Sequence, residues 1–306
     1  MTLNLVLVVR PRHRGILDDF RKVAEHCRKI DPTIRASATL DAPWSLPIAL
    51  KTATHRTLVF SPQRLFFYRA LRGKVLTGHL LSKSDEYRRL ESIGIPVPPW
   101  RLMTPSHTPE LGDLGRYIVT KPDYGGRGAD VRIRRSSRAR WSKPDSPAWF
   151  ASRTGVIAQQ FIYTGRWAIS YRVATLFGRA IYSWRAEASH ERTPLDDVNN
   201  FAGISIVSSR KGCSFALNDD AEIIALAERA HAAFPDIPLL GVDIVRDAHT
   251  GRLFVLEVNA TGDVWHFSST IGRSIQQVSG IDLTAQFGGL RRAAEILVAE
   301  THRQAR

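Results

Sequence analysis

Two apolar segments near the end of the chain constrain its fold more than any other feature. They are Leu240–Val245 and Leu253–Val258, and the polar, glycine-ended stretch Asp247–Gly251 lies between them. Two short apolar runs joined by a turn of this kind predict a β-hairpin. Because side chains alternate between the two faces of a strand, each polar residue within these runs can be assigned to a face.

The polar residues of this hairpin predict a metal site. Alternation places Glu257 and Asn259 on one face, and hairpin pairing brings Asp243 across from them. Three oxygen-bearing side chains suit a hard cation such as Mg²⁺, with phosphates and water completing its coordination. The alternative is that they face solvent. The flanking apolar runs disfavour it, because an isolated carboxylate within a core is unfavourable.

A glycine-rich segment, Lys121-Pro122-Asp123-Tyr124-Gly125-Gly126-Arg127-Gly128, follows the predicted strand Tyr117–Lys121. A second strand is predicted at Val131–Arg134, so the glycines lie at the tip of a hairpin. A lysine supplies a point positive charge, and glycines allow backbone N–H groups to approach phosphate oxygens. The pattern matches neither the Walker motif nor G-x-G-x-x-G. Polyphosphate binding and an ordinary turn both remain open on these residues alone.

The bulk composition indicates a soluble globular chain. Of 306 residues, 43% are hydrophobic and 24% charged, which is unlike a disordered protein. No apolar run reaches the roughly 18 residues of a membrane-spanning helix, so no membrane partner is expected. Leu3–Val9 is interpreted as a buried strand and not as a signal peptide. The two cysteines, Cys27 and Cys213, are far apart, and a reducing cytoplasm is the expected location.

The net charge points to anionic partners. Lys and Arg number 43 and Asp and Glu 29, which gives 43 − 29 = +14 at pH 7. Charge of this size favours nucleotides, nucleic acid or acidic peptides, and a basic solvated surface is an equal alternative. Nucleic acid therefore stays open as a partner. A basic run that follows the glycine-rich segment is most simply a solvated face. It comprises Arg132, Arg134, Arg135, Arg138, Arg140 and Lys143.

The order of elements predicts an α+β protein. Strand Leu3–Val9 and helix Ile16–Ile30 open a small α/β unit of about 80 residues. A helix then begins after the N-cap Ser82 and ends at Gly94. Because much of the strand pairing is by hairpins, the main body is assigned to the α+β class. The remaining predicted elements are strands near Ile34 and at Thr57–Phe60, Lys74–Leu76, Val156–Ile162, Ser170–Leu176 and Ala180–Arg185, and helices at Asp220–Phe234 and Leu283–His302.

The sequence resembles the ATP-grasp superfamily, especially its glutathione-synthetase-like and ribosomal-protein glutamate ligase branch. The resemblance covers roughly residues 80–290. It rests on four segments in a fixed order, namely KPDYGGRG, VIAQQFI, YRVATLFGRAIYSWRA and GVDIVRDAHTGRLFVLEVNATGD. In addition, SKSDEYRRLESIGIPVPPW is similar to the stretch that opens the ATP-grasp region in that branch. The resemblance implies two α+β subdomains that sandwich a nucleotide, preceded by a small α/β domain. The corresponding boundaries are 1–80 for the front domain, 81–162 for the central subdomain and 163–306 for the C-terminal subdomain.

The resemblance also implies roles for single residues. Lys121 would contact the ATP phosphates, and Arg172 would lie near the transferred phosphate and the acyl group. Asp243, Glu257 and Asn259 would hold Mg²⁺, or Mn²⁺ in its place. Further nucleotide contacts would come from Gly125, Gly126 and Gly128, from the adenine edge Gln159, Gln160, Phe161 and Ile162, and from Asn200. The chain departs from relatives in having Gln160 where Glu is common and Ser170 and Tyr171 before Arg172.

Substrate contacts are expected from the turn that follows the metal strand. In relatives this turn approaches the acyl substrate, which implicates Thr261, Gly262 and His266. A packed loop with an incidental histidine is the alternative for His266. Arg185 is a candidate for pairing a substrate carboxylate bidentately, and a structural salt bridge is equally compatible with its position.

The resemblance implies an ATP- and Mg²⁺-dependent ligase that joins a carboxylate and an amine through an acyl phosphate. The partners would be small-molecule or peptide carboxylates and amines, and a homodimer stays open. Two alternatives remain at this level. One is a relative that binds ATP or nucleic acid without ligase turnover, and the other is an ATP-grasp phosphotransferase.

Overall fold

The structure is a computed structural model that describes residues 2–43, 50, 54–68, 70, 72–126, 128–144, 155–192, 194–195, 212–261 and 263–305. The first strands form a parallel four-stranded sheet, here the N-terminal sheet. They are β1 (Leu3–Val9), β2 (Ile34–Leu40), β3 (Arg56–Ser61) and β4 (Lys74–Thr77). Their order is β2-β1-β3-β4, so the carboxyl ends of all four strands lie at one edge.

Two further sheets are antiparallel. The central sheet has the order β5-β8-β6-β7 and contains β5 (Trp100–Met103), β6 (Tyr117–Pro122), β7 (Arg132–Arg135) and β8 (Val156–Gln160). The C-terminal sheet has the order β11-β10-β9-β12-β13. Its strands are β9 (Ile169–Leu176), β10 (Arg179–Ala188), β11 (Cys213–Leu217), β12 (Leu239–Arg246) and β13 (Leu253–Asn259).

Six helices are described. They are α1 (Leu17–Ile30), α2 (Lys83–Ser92), α3 (Ala221–His231), α4 (Thr270–Ser279), α5 (Leu283–Gln286) and α6 (Gly289–Gln304). Short 3-10 turns occur at Pro11–Ile16, Gly112–Leu114 and Ser136–Arg138. In the part of the chain that the structure describes, none of the helices combines the length and the apolar character needed to cross a bilayer.

One hydrophobic core joins the N-terminal sheet to the C-terminal sheet. Every residue of β1 is buried, as expected for a strand inside a parallel sheet with both faces covered. Helices α1 and α6 pack together, and the Cys27 thiol donates to the carbonyl of Ala294 at 3.7 Å. The same core continues to Tyr182 and Trp184 of β10. The two sheets are therefore fixed relative to each other by buried side chains.

Local capping chemistry explains where some elements begin. The predicted N-cap of α2 is confirmed, because the Ser82 hydroxyl accepts the N–H of Asp85 at 3.1 Å. The single closing helix predicted at Leu283–His302 is instead two helices. Gly288 has a φ of +60° and breaks the helical path between α5 and α6. The sequence pattern also gave no indication of α4 or β11.

Candidate functional site

The polar residues of β12 and β13 form one row with Arg172 of β9. Register places Asp243 directly opposite Glu257 on one side and opposite Arg172 on the other. Arg172 binds Asp243 through two parallel hydrogen bonds, Nε to Oδ1 at 2.7 Å and Nη2 to Oδ2 at 2.6 Å. Asn259 donates to Asp243 Oδ2 at 3.0 Å. The structure thus brings together all three residues of the predicted metal set and the predicted catalytic arginine.

A β-bulge in β13 supplies a main-chain acceptor to this site. The register shifts between Asp243 and Ile244, whose partners are Glu257 and Val255, so Leu256 has no cross-strand partner. The freed carbonyl of Leu256 accepts the Tyr87 hydroxyl at 2.7 Å and the Lys121 ammonium at 3.1 Å. Lys121 comes from β6 of the central sheet. The bulge therefore connects the predicted phosphate lysine to the strand that carries the predicted metal residues.

Helix α2 places a second lysine and a carboxylate beside this bulge. Lys83 Nζ lies 2.9 Å from Glu257 Oε1, and it also donates to the carbonyl of Gly125 at 3.1 Å. Glu86 accepts the backbone N–H of Val258 at 3.2 Å. Both side chains are almost completely buried. They share the face of α2 that carries Tyr87, because residues three and four apart lie on the same side of a helix.

The glycine-rich segment is the tip of the β6–β7 hairpin, in which Thr120 pairs with Arg132. Its base is tied to α2, because the Asp123 carboxylate accepts the N–H and the hydroxyl of Ser84 at 2.8 and 3.1 Å. Gly128 has a φ of +71°, which favours glycine. A Cβ at Gly126 would meet nothing within 4 Å. Among the described residues, the position that a side chain at Gly126 would take is therefore unobstructed.

The predicted adenine edge leads out of the central sheet along β8. Gln159 is buried and ends a row of buried residues, while Phe161 lies under the Arg192 guanidinium, 5.0 Å from its ring centroid. Ile162 packs with Val245 and Phe254 in a small apolar cluster of its own. This cluster continues to Leu256, the bulge residue. A small apolar cluster that reaches the bulge residue therefore borders the polar row.

Burial and neighbouring charges shift the pKa values of the buried groups. Burial lowers the pKa of Lys121 to about 8, and the neighbouring charge of Lys83 adds to this effect. Burial raises the pKa of Glu86 to about 8. Burial opposes the charge of Lys83, but the carboxylates of Glu257 and Glu86 outweigh it and raise the pKa of Lys83. The cluster thus places two buried lysines next to the carboxyl groups of Glu86 and Glu257.

The ionised forms of Glu257 and Arg172 are held by their partners. Burial alone would raise the pKa of Glu257, but Lys83 and Lys121 outweigh it and lower that pKa. In the same way, Asp243 overcomes burial and raises the pKa of Arg172. These charges persist across the neutral pH range. An ionised carboxylate is the form that binds a metal ion.

The donor set fits a hard cation. No cluster of three or more histidine, cysteine, aspartate or glutamate side chains suited to a metal occurs among the described residues. The row has two carboxylates, from Asp243 and Glu257, and the amide of Asn259. Mg²⁺ is usually bound by one or two carboxylates, with substrate phosphates and water completing its shell. A set of this size therefore suits an ion that arrives together with a phosphate ligand.

The remaining predicted site residues have different surroundings. His266 is buried, stacks on Trp184 with ring centroids 4.8 Å apart, and its Nδ1 lies 3.0 Å from the Tyr182 hydroxyl. Thr261 is half-buried and lies two residues beyond the end of β13. Asn200 and Gly262 lie outside the described residues.

Arg185 is not brought to the row. It is paired with Tyr171, whereas its neighbour Trp184 is paired with Arg172 and lies under that guanidinium. Alternation therefore places Arg185 on the opposite face of the sheet, where it forms an ion pair with Glu187 at 2.8 Å. A substrate role for Arg185 stays a prediction.

Lys83, Glu86, Asp123 and the carbonyl of Leu256 were not anticipated from the sequence. The available indication was the spacing of charges within α2. Lys83 and Glu86 fall at positions that share a face with the apolar residues Tyr87 and Leu90. A lysine and a glutamate inside an apolar stripe are unusual unless they are paired. The paired state is what the structure shows.

Comparison with known proteins identifies the fold. No family model matches the chain by sequence, and no curated protein matches it either. D-cycloserine synthetase DcsG has a similar structure, with 18% identity, a TM-score of 0.52, and coverage of 97% of this chain and 99% of that one. The ATP-grasp ligase PsnB, complexed with a phosphomimetic variant of minimal precursor, Mg and ADP, has 16% identity, a TM-score of 0.55, and coverage of 97% and 98%. PsnB complexed with precursor peptide PsnA2 and AMPPNP has 16% identity, a TM-score of 0.51, and coverage of 98% of each chain. The chain therefore has the ATP-grasp fold that its sequence predicted.

Proposed function

We propose that this protein is an ATP- and Mg²⁺-dependent ligase that forms an amide or peptide bond between a carboxylate and an amine. The observation that carries the proposal is the meeting of Lys121 from the central sheet with Asp243, Glu257 and Asn259 of the C-terminal sheet. A bound metal–nucleotide complex requires cations next to its phosphates and carboxylates next to its metal ion. The ATP-grasp fold of the chain supports the same assignment.

The nucleotide would lie between the central and C-terminal sheets. Its phosphates would replace the carbonyl of Leu256 as the partner of Lys121, and Lys83 would provide a second positive charge. Backbone N–H groups at Gly125, Gly126 and Gly128 would close on the phosphate oxygens. The adenine would occupy the apolar surface beside Ile162, with Gln159, Gln160 and Phe161 along its edge. Asn200 stays a predicted contact near the phosphates.

Asp243, Glu257 and Asn259 would hold Mg²⁺, or Mn²⁺ in its place. When bound, the ion supplies charge neutralisation to the phosphate oxygens. Arg172 is already aligned by its two hydrogen bonds to Asp243, so its guanidinium is positioned before any substrate arrives. A preorganised cation needs no rearrangement when negative charge develops next to it.

The proposed reaction has two steps. A substrate carboxylate oxygen attacks the γ-phosphorus of ATP, which gives an acyl phosphate and ADP. The amine nitrogen then attacks the acyl carbon, inorganic phosphate leaves, and the nitrogen releases a proton. Lys121, Lys83 and Arg172 stabilise the charge of the transferring phosphoryl group. The protein acts by positioning and electrostatics, and no covalent nucleophile is required.

We further propose small-molecule or peptide substrates. The PsnB structures are described as complexes with a precursor or a precursor peptide, which makes a peptide a reasonable first class to test. Thr261, Gly262 and His266 stay candidates for substrate contacts because they follow the metal strand. The cytoplasm is the proposed location. Cys27 and Cys213 are both free thiols, and ATP is abundant there.

ADP release is the direct test of this function. Purified protein with Mg²⁺ and ATP should release ADP when supplied with a suitable carboxylate and amine from a panel of amino acids and peptides. Glu257→Gln should reduce this rate at least about a hundredfold, since it removes a charge on which the metal depends. Glu295→Gln is a matched control. Glu295 also forms an ion pair, with Arg291 at 3.1 Å, but it lies on α6.

The alternatives predict different products. ATP binding without ADP release under any addition would favour a relative that binds without turnover, and RNA is tested in the same panel. ADP release with a stable phosphorylated product would favour a phosphotransferase. Full activity in Glu257→Gln would refute the metal assignment.

A further inference from the structure

Several arginines gather at the carboxyl edge of the N-terminal sheet. Arg10 directly follows β1, and Arg64 follows β3 by three residues. Their guanidinium carbons lie 4.3 and 6.0 Å from the ring centroid of Phe66, so both guanidinium groups are close to the same aromatic ring. Arg12 donates from Nε to Nε2 of His13 at 2.9 Å. We call Arg10, Arg12 and Arg64 the edge arginines.

The edge arginines have no carboxylate partner among the described residues. No guanidinium nitrogen of these three residues lies within 4.0 Å of a described carboxylate oxygen. The nearby carboxylate is Asp41, which accepts the backbone N–H groups of Phe66, Phe67 and Tyr68 at 2.7, 2.8 and 2.6 Å. Asp41 thus fixes the backbone of this loop. Burial and the charge of Arg12 lower the pKa of Arg10, as expected for crowded cations.

This edge lies next to the loop that leaves the metal strand. A Cβ at Gly78, just after β4, would be 2.6 Å from the carbonyl oxygen of Ala260, the residue that follows Asn259. In addition, Ser268 donates to the carbonyl of Gly15 at 3.2 Å. The residues after β1 and after β4 therefore contact the segment that follows Asn259. The loops at the edge that carries these arginines therefore adjoin the end of β13, where Asn259 lies.

The aromatic residues of the loop are exposed. Phe66 is 48% exposed and Phe67 59%, which is unusual for large apolar side chains next to charges. Exposed rings flanked by guanidinium groups form a surface that can hold both the apolar and the charged parts of one ligand. Arg10 is held on the face of Phe66, so the ring also restricts the orientation of the cation.

We propose that the edge arginines bind a second anionic group of the substrate, a carboxylate or a phosphate, distinct from the carboxylate that is activated. This inference rests on the proposed function, which fixes where the activated carboxylate lies. Guanidinium groups match both anions through paired N–H donors. Because none of the three guanidinium groups is paired with a described carboxylate, an anionic group of the substrate can be attracted by them. The favoured substrate therefore carries two anionic groups.

The test uses three small probes of similar length, namely succinate, 3-phosphonopropionate and propionate. Each is titrated by ligand-observed NMR into protein saturated with AMPPNP and Mg²⁺, so that the nucleotide phosphate site is occupied. We expect at least one of the two dianionic probes to bind about tenfold or more tightly than propionate. Arg10→Gln/Arg12→Gln should remove that preference, and Arg64→Gln should reduce it. The control Arg291→Gln/Arg303→Gln makes the same change of charge on α6 and should retain the preference.

The outcomes separate the two proposals. Binding of 3-phosphonopropionate alone identifies a phosphate site, and binding of succinate alone identifies a carboxylate site. If neither dianion binds better than propionate, or if Arg10→Gln/Arg12→Gln binds them as the unsubstituted chain does, the inference is wrong. Thermal unfolding confirms that each variant is folded. The proposed function is tested separately, by ADP release and by Glu257→Gln. If AMPPNP does not bind, the probes are titrated without nucleotide.

Discussion

The buried pair Lys83–Glu257 provides a quantitative test of the site before any substrate is known. Its atoms are 2.9 Å apart, with side-chain exposures of 7% and 28%. At an effective dielectric constant of about 20, two charges at that distance attract by about 6 kcal/mol. Desolvation offsets most of this, and Glu257 keeps some contact with solvent. We therefore expect Lys83→Met to lower the free energy of unfolding by about 3 kcal/mol, near the lower end for a broken buried pair.

A double-mutant cycle isolates the interaction from the packing of either side chain. Lys83→Met, Glu257→Gln and the double variant are unfolded in urea without nucleotide, and tryptophan fluorescence is followed. The double variant should be less destabilised than the sum of the two single variants by about 2 kcal/mol. The pair Arg303–Glu300 on α6 is the control cycle. Its N–O distance is 2.6 Å, but Arg303 is exposed, so its coupling should be at most about 0.5 kcal/mol.

The pH dependence of this coupling follows from the two shifted pKa values. The pKa of Glu257 is lowered in the fold, so its contribution is complete above the ordinary glutamate value of about 4.3 and disappears as the pH falls through the lowered value. The pKa of Lys83 is raised, so its contribution is complete below about 10.4 and is lost as the pH rises through the raised value. Additive single variants at pH 7, within about 0.5 kcal/mol, would refute the pairing.

Three further predictions address other groups. Glu86→Gln should raise the melting temperature more at pH 9 than at pH 5. The carboxyl of Glu86 has a pKa of about 8 in the folded protein, so it destabilises the folded state as the pH rises above the ordinary glutamate pKa. Equal shifts of the melting temperature at both pH values would contradict this. Asp41→Ala should lower the free energy of unfolding by about 3 kcal/mol in a urea titration, because three backbone donors lose a buried acceptor, and no change would show that these bonds are absent in solution. Gly272→Ala should lower the free energy of unfolding by about 2 kcal/mol, because the new Cβ would lie 1.8 Å from the His266 carbonyl oxygen. Gly126→Ala is the control. Its Cβ would meet nothing within 4 Å, so the free energy of unfolding should hardly change.

The alternation of apolar and polar residues was sufficient to predict the β12–β13 hairpin and the convergence of Asp243, Glu257 and Asn259. It could not predict the bulge at Leu256, because an unpaired residue changes the pairing of a strand without changing its composition. The same limit applies to Arg185. A register shift between Ala180 and Tyr182 sets which residues of β10 share a face with Arg172, and a strand pattern does not reveal it.

The buried charges of α2 were missed for a different reason. Helical residues such as Lys83 and Glu86 are usually assigned to solvent, since an unpaired charge inside a core is strongly unfavourable. Here β13 of the C-terminal sheet packs against that face of α2, and its Glu257 supplies the partner. Such partners lie far apart in the sequence. The hydrogen bond between Glu86 and Val258, for example, spans 172 positions. Pairing at that range is a property of the tertiary structure.

The bulge carbonyl has an evolutionary implication. Lys121 rests on an oxygen that belongs to the main chain, so no substitution at position 256 that preserves the backbone can remove it. A neutral acceptor also holds an ammonium less strongly than a carboxylate would. Side-chain substitution at position 256 therefore leaves this contact of Lys121 in place, and a phosphate oxygen can readily replace the carbonyl as its partner. Lys83, in contrast, must first separate from Glu257. Of the two lysines, the one on the bulge is therefore the more readily recruited by nucleotide.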